Sequence, residues 1–147
     1  MIDPDKIFGL FGKVNHDSSY EEQQEITSQL FKFQNTPAFK IGIFRKLILN
    51  HTNFNVSVLS MLKRANDELD VRDMKDASEF IIYNRAWGYI KDLNVKDIEV
   101  FEAIKKGSNE ELITTLALAI DFFESREEYK KCAHLKKISD LSRYFIK

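Results

Sequence analysis

Helix-start signals recur along this chain, and little else in it can turn or break a backbone. Asp3-Pro4 and Thr36-Pro37 each place an N-cap residue before a proline at the first helical position. A missing N–H costs nothing there, and the fixed φ is already helical. Ser19-Tyr20-Glu21-Glu22 and Ser108-Asn109-Glu110-Glu111 read as capping boxes. In each, the hydroxyl serves a first-turn N–H and the glutamate reaches back to the cap. The whole chain holds only 5 Gly and 2 Pro. Sandwiches and barrels need many tight turns, and tight turns consume those two residue types. The expectation is an all-α protein: a compact multi-helix bundle of seven or eight helices with a C-terminal helical hairpin.

Apolar spacing supplies the helices themselves. A short first helix from Asp3-Pro4 carries Ile7, Phe8, Leu10 and Phe11, weakened by Gly9 and Gly12. The next carries Ile26, Leu30 and Phe33 at helical spacing. Thr36-Pro37 opens a stripe of Phe39, Ile43 and Leu47 that is expected to end near Asn50-His51. Asn53 or Asn55 then caps a separate helix with Val58, Leu59, Leu62 and Leu69 inward. Asp73 or Asp76 opens a helix with Phe80, Ile81, Tyr83, Trp87 and Ile90. Asp97 starts a shorter one, which Gly107 stops as a residue beyond the helix C-terminus. The segment from Glu110 to Phe123 is apolar nearly all round, the pattern of a buried central helix. Arg126 to Phe145 reads as a terminal amphipathic helix.

A length of 147 residues and 44% apolar content predict one domain over 1–147, large enough to bury a core. Cys132 is the only cysteine, so no internal disulfide is possible. The opening segment lacks a basic leader followed by an apolar run, and no stretch approaches bilayer-spanning length. The reading is a cytoplasmic protein without membrane contact.

The formal net charge is −1, but its distribution is uneven. No acidic residue occurs between Ile26 and Asn66, a stretch that carries Lys32, Lys40, Arg45, Lys46, Lys63 and Arg64. Acids flank it on both sides, Glu21, Glu22 and Glu25 before and Asp67, Glu68, Asp70 and Asp73 after. Lys40, Arg45, Lys46, Lys63 and Arg64 are thus candidates to contact nucleic acid or an acidic partner, with the polar link from Asn50 to Asn55 between two basic helices. The slightly negative whole-chain charge argues against nucleic acid, because phosphate neutralisation dominates that affinity.

Catalytic and metal chemistry find no constellation. Cys132 and His134 are two apart on a helix and face different ways, and no Cys-x-x-Cys or His-x-x-x-His occurs among His16, His51, His134 and Cys132. Gly9-Leu10-Phe11-Gly12 lacks the strand and the Lys-Ser/Thr that phosphate loops require. No Gly-x-Ser-x-Gly is present, and paired carboxylates such as Glu21/Glu25 and Glu124/Glu128 sit on solvated helix faces. No cofactor, metal or small-molecule ligand is expected.

Aromatic residues are the remaining resource, with 12 Phe, 5 Tyr and 1 Trp. Tyr83 and Trp87 share a stripe, and such side chains either fill a core or anchor an interface. The segment from Phe122 to Ile138 resembles the UVR motif, a short helical hairpin of bacterial excision-repair subunits and some stress-response adaptors. The matching residues are Tyr129, Cys132-Ala133, Leu135 and Lys136, whereas the usual doubled alanine is missing and Lys137 stands where an acid is common. The resemblance covers roughly 25 residues, and in that family the hairpin mediates protein–protein contact. The Lys-, Ile-, Asn- and Phe-rich style of the chain is similar to that of small proteins from AT-rich bacteria and their phages.

The leading reading is a non-enzymatic helical interaction module: an adaptor, a regulator or a subunit of a larger assembly. Its partner is a protein, self-association included, met through Tyr83, Trp87, Tyr129, Leu135 and Lys136. The alternative is a small nucleic-acid-binding regulator using the basic 26–66 stretch. An exposed apolar patch would favour the first, and a continuous basic face the second.

Overall fold

Thr36 shows how the local signals become architecture. In the computed structural model, which describes residues 20–68 and 70–146, the Thr36 hydroxyl accepts the Phe39 N–H at 3.3 Å and donates to the Phe33 carbonyl at 2.7 Å. One side chain thereby closes the helix before it and caps the helix after it. The chain runs through α1 (Tyr20–Gln34), α2 (Pro37–Ala65), α3 (Arg72–Ile90), α4 (Ile98–Lys106), α5 (Asn109–Ser125) and α6 (Tyr129–Tyr144), with no strand among the described residues. The expected first helix at Asp3-Pro4, His16, Leu69 and the Ser19 half of the first capping box lie outside those residues.

The described residues hold six helices rather than the seven or eight expected, in part because two expected helices are one. The polar run from Asn50 to Asn55 does not break α2, which continues to Ala65. No glycine or proline occurs from 43 to 87, and His51, Thr52 and Asn55 find partners while the backbone stays helical. Thr52 donates to the Ile48 carbonyl at 2.9 Å, and the Asn55 amide lies 2.9 Å from His51 Nε2 and 3.3 Å from Ser78 Oγ. Polarity alone favours a break only when the side chain has nothing better to bond.

Other boundaries move for equally local reasons. α3 starts at Arg72 because the Asp70 carboxylate accepts the Arg72 N–H at 3.0 Å and also pairs with the Arg72 guanidinium. The second capping box does not close: Ser108 occupies the cap position of α5 without a side-chain bond, and Glu111 instead pairs with Arg45. Gly107 follows α4 in extended rather than left-handed backbone, at φ −82° and ψ 165°. A Cβ there would sit 3.2 Å from the Ala103 carbonyl, and the buried Asn109 side chain donates to the Ile104 carbonyl at 2.9 Å. The end of α4 is closed by Asn109 from the next helix.

α6 begins at Tyr129, not Arg126, because residues 126–128 form the turn of the α5–α6 hairpin. The Glu128 N–H reaches the Phe123 carbonyl at 2.9 Å and the Glu127 N–H reaches Glu124 at 3.0 Å, with Glu127 at φ 61°. This is a Schellman closure whose left-handed position glycine fills most readily. Glu127→Gly is therefore expected to raise the unfolding free energy by roughly 0.5–1 kcal/mol. Urea midpoints of the two proteins check it, and a lower midpoint for the variant would contradict the strain assigned to Glu127.

The core forms where the first half of α2 and the second half of α3 meet α5 and α6, closed by α4. Phe44, Ile48, Leu116, Phe123, Leu135 and Ile138 are wholly buried. α5 is central but not buried on every side, since Glu111, Thr114, Ala117 and Asp121 are exposed. No helix among the described residues is long and apolar enough to cross a membrane.

Candidate interaction surface

Burial stops abruptly along α2 and α3. The buried residues of α2 are Ile41, Phe44 and Ile48, all in its first half; those of α3 are Tyr83, Ala86 and Ile90, all in its second. Among the described residues from 49 to 82, none is buried. The two helices pack against each other, so their remaining halves form an arm with no third layer among the described residues. Half-buried Val58, Leu59, Leu62 and Ile82 and the Asn55–Ser78 bond line its seam. At its root, the His51 ring meets the Tyr83 ring edge-on at 6.4 Å. Burial holds the His51 pKa below the usual 6.5, an effect that nearby Glu79 partly offsets.

Two stripes of this arm are apolar and exposed. Phe54 and Met61 are 64% and 65% exposed, and Met74 and Ile81 are 48% and 60% exposed. Helical geometry decides which way they face. Arg45 points at α5, with Nε 3.8 Å from the Glu111 carboxylate. Phe54 lies nine residues on, half a revolution at about 100° per residue, so it faces away from α5. Met61, two turns further, stays on that stripe. Tyr83 stacks on Phe122 of α5 at 4.6 Å. Met74 and Ile81, nine and two residues earlier, are likewise turned away from it. The Asn55–Ser78 and His51–Tyr83 pairings set the register and bring Phe54 level with Ile81 and Met61 level with Met74. The four side chains make one patch on the face opposite the core. Gly88 continues the α3 stripe at its root, and a Cβ there would meet nothing within 4 Å.

The basic stretch does not become a basic face. Lys40, Arg45, Lys46, Lys63 and Arg64 all lie on α2, but around its whole circumference. Lys46 and Arg64 share one stripe about 27 Å apart, Arg45 and Lys63 share another, and Lys40 lies on a third. Tertiary structure also supplies the acids that the sequence lacks locally. Arg45 pairs with Glu111 and donates to the Ser108 carbonyl at 3.4 Å. Asp70 is held below the usual carboxylate range, first by hydrogen bonds from Arg72, with a smaller contribution from Lys63.

The five residues singled out for a protein interface separate in the structure. Tyr83 and Leu135 are buried and serve the core. Trp87 is half-buried, with Phe123 and His134 edge-on and the Lys131 ammonium 5.6 Å above its ring. Tyr129 and Lys136, two turns apart, are exposed on one face of α6. The residues quoted for the UVR resemblance span the end of α5, the turn and the first half of α6. Cys132 is half-buried; burial and the nearby Glu124 raise its thiol pKa, and it donates to the Ile120 carbonyl at 3.5 Å. No group of three His, Cys, Asp or Glu side chains able to hold a metal occurs among the described residues.

Phe54, Met61, Met74 and Ile81 were not among the expected interface residues. For Phe54 and Met61 the signal is present in the 4-3-4-3-4 spacing of Leu47, His51, Phe54, Val58, Met61 and Ala65, a coiled-coil-type seam. It is hidden by Leu59 and Leu62, which mark the neighbouring inward face. No protein-family model, curated protein or solved structure matches the chain.

Proposed function

We propose that this protein is a non-enzymatic helical interaction module, acting as an adaptor, regulator or assembly subunit, and that the α2–α3 arm is its contact surface. The observation that carries the reading is the level pairing of Phe54 with Ile81 and Met61 with Met74 on a face that no other described helix covers. Exposed apolar side chains gathered on one face mark surfaces that bind, whereas scattered ones need no explanation. The hairpin resemblance at Tyr129 and Lys136 supports the same class of function from a second surface. The dispersal of Lys40, Arg45, Lys46, Lys63 and Arg64 around α2 gives the nucleic-acid alternative no comparable face.

Phe54→Glu combined with Ile81→Glu tests the reading in the full chain. Both sites are exposed, so the helical signal and unfolding midpoint are expected to stay near those of the parent. Protein association, with itself or with a different chain, is expected to fall at least about tenfold, because an interface centre rejects unpaired charge. Association unchanged by the double substitution, or a parent that binds no protein at all, would overturn the proposal.

A further inference from the structure

We infer that the occupant of the arm face is a second copy of this chain, packed arm against arm about a two-fold axis parallel to the helices. The inference rests on the interaction reading above and deepens it by naming the partner. Two features of the arm select a copy of itself.

The first is charge. From 49 to 65 the arm helix of α2 carries Lys63 and Arg64 and no acid. The returning segment from 66 to 79 carries Asp67, Glu68, Asp70, Asp73, Asp76 and Glu79 against Arg72 and Lys75. The arm is basic along α2 and acidic over its tip and the start of α3, so the arm complements itself. A two-fold axis along the helices lays α2 of one copy over α3 of the other, with both tips at the same end. Arg64 of one copy and Asp73 of the other then lie on the same rim. Within one copy these two exposed residues lie on opposite outer edges of the arm and form no ion pair. An axis perpendicular to the helices would instead set the basic helix on the basic helix.

The second is register. Because Phe54 is level with Ile81 and Met61 with Met74, the same axis sets Phe54 against Ile81 of the other copy and Met61 against Met74. No sliding is needed. The product is a four-helix bundle whose core is the seam that each arm lacks. Ala77 and Gly88 lie on the same face of α3 and leave room for close approach.

The size of the face places the dimer among the small, transient contacts. An arm about 25 Å long and two helices wide offers about 500 Å² per copy, or about 1,000 Å² in total, the lower limit for a specific interface. The dimer is therefore expected to dissociate in the micromolar range.

Sedimentation velocity from about 1 to 300 μM brackets that range. The full chain is expected to pass from monomer to dimer across it, and Phe54→Glu with Ile81→Glu to remain monomeric throughout. At low salt, Arg64→Asp is expected to weaken the dimer several-fold, and adding Asp73→Arg to restore it. A chain that stays monomeric over the whole range, or a dimer indifferent to both the apolar and the charge-swap variants, would overturn the inference. If that monomer still bound a different protein through Phe54 and Ile81, the copy-on-copy dimer alone would fall and the interaction module would stand. A monomer that bound no protein would remove both.

Discussion

Phe123→Ala is expected to destabilise the protein by about 3–5 kcal/mol, enough to remove a large part of a typical folding free energy of about 5–15 kcal/mol. Phe123 is wholly buried where three helices converge. From α3, the Trp87 ring meets it edge-on at 6.0 Å; from its own helix, Phe122 does so at 5.1 Å. From α6, the Lys131 ammonium lies 4.8 Å from its ring centre. Its carbonyl also accepts the Glu128 N–H that closes the hairpin turn. Truncation leaves a cavity walled by rigid rings that cannot collapse into it, so the cost lies toward the upper end for such changes. Thermal or urea unfolding measures it, with a midpoint expected to fall by about 10–15 °C. Phe54→Ala in the arm is the comparison, with an expected change below about 0.5 kcal/mol for an exposed side chain. Equal losses at the two phenylalanines would mean that the division between core and arm is wrong.

The second large effect is kinetic and runs along a single helix. In dilute solution, amide hydrogens in the arm, at 57–64 and 74–79, are expected to exchange at least about a hundred times faster than those at 44–48 and 116–123, a gap of about 3 kcal/mol in opening free energy. The arm amides are hydrogen-bonded, but a two-helix seam with no buried residue opens without disturbing the core. A pair of helices with a single shared face is marginal in water. Site-resolved exchange at low micromolar concentration reads the gradient directly. Uniform protection along α2 would show that the arm is held as firmly as the base, and would point to a stabilising contact that the helical seam does not provide.

Much of the fold is legible in the sequence. Thr36-Pro37 predicted a helix start, and the Thr36 hydroxyl makes the bond that the motif implies. The stripe of Phe39, Ile43 and Leu47 lies on the inward side and is half-buried, and its neighbours Phe44 and Ile48 are wholly buried. The failures share one cause. Asn50, His51, Thr52, Asn53 and Asn55 look like a link because polar side chains compete for the backbone, yet on another helix Ser78 takes Asn55 and the Tyr83 ring meets His51. Glu111 has the spacing of a capping-box residue, yet Arg45 takes it. The basic run looks like a basic face only while Glu111 is far away in the chain; folding sets it against Arg45.

The sequence by itself determined the class: helices, their starts, and the near absence of residues that make turns. Caps and periodicity act over one or two turns of chain, so they can be read within a window of a few residues. Only the tertiary structure decided that α2 outruns the core by half its length, and that Phe54, Met61, Met74 and Ile81 share one outward face. That face is built from two helices at a particular register. Whether an apolar residue is buried depends on which distant segment happens to cover it, and no local pattern carries that information.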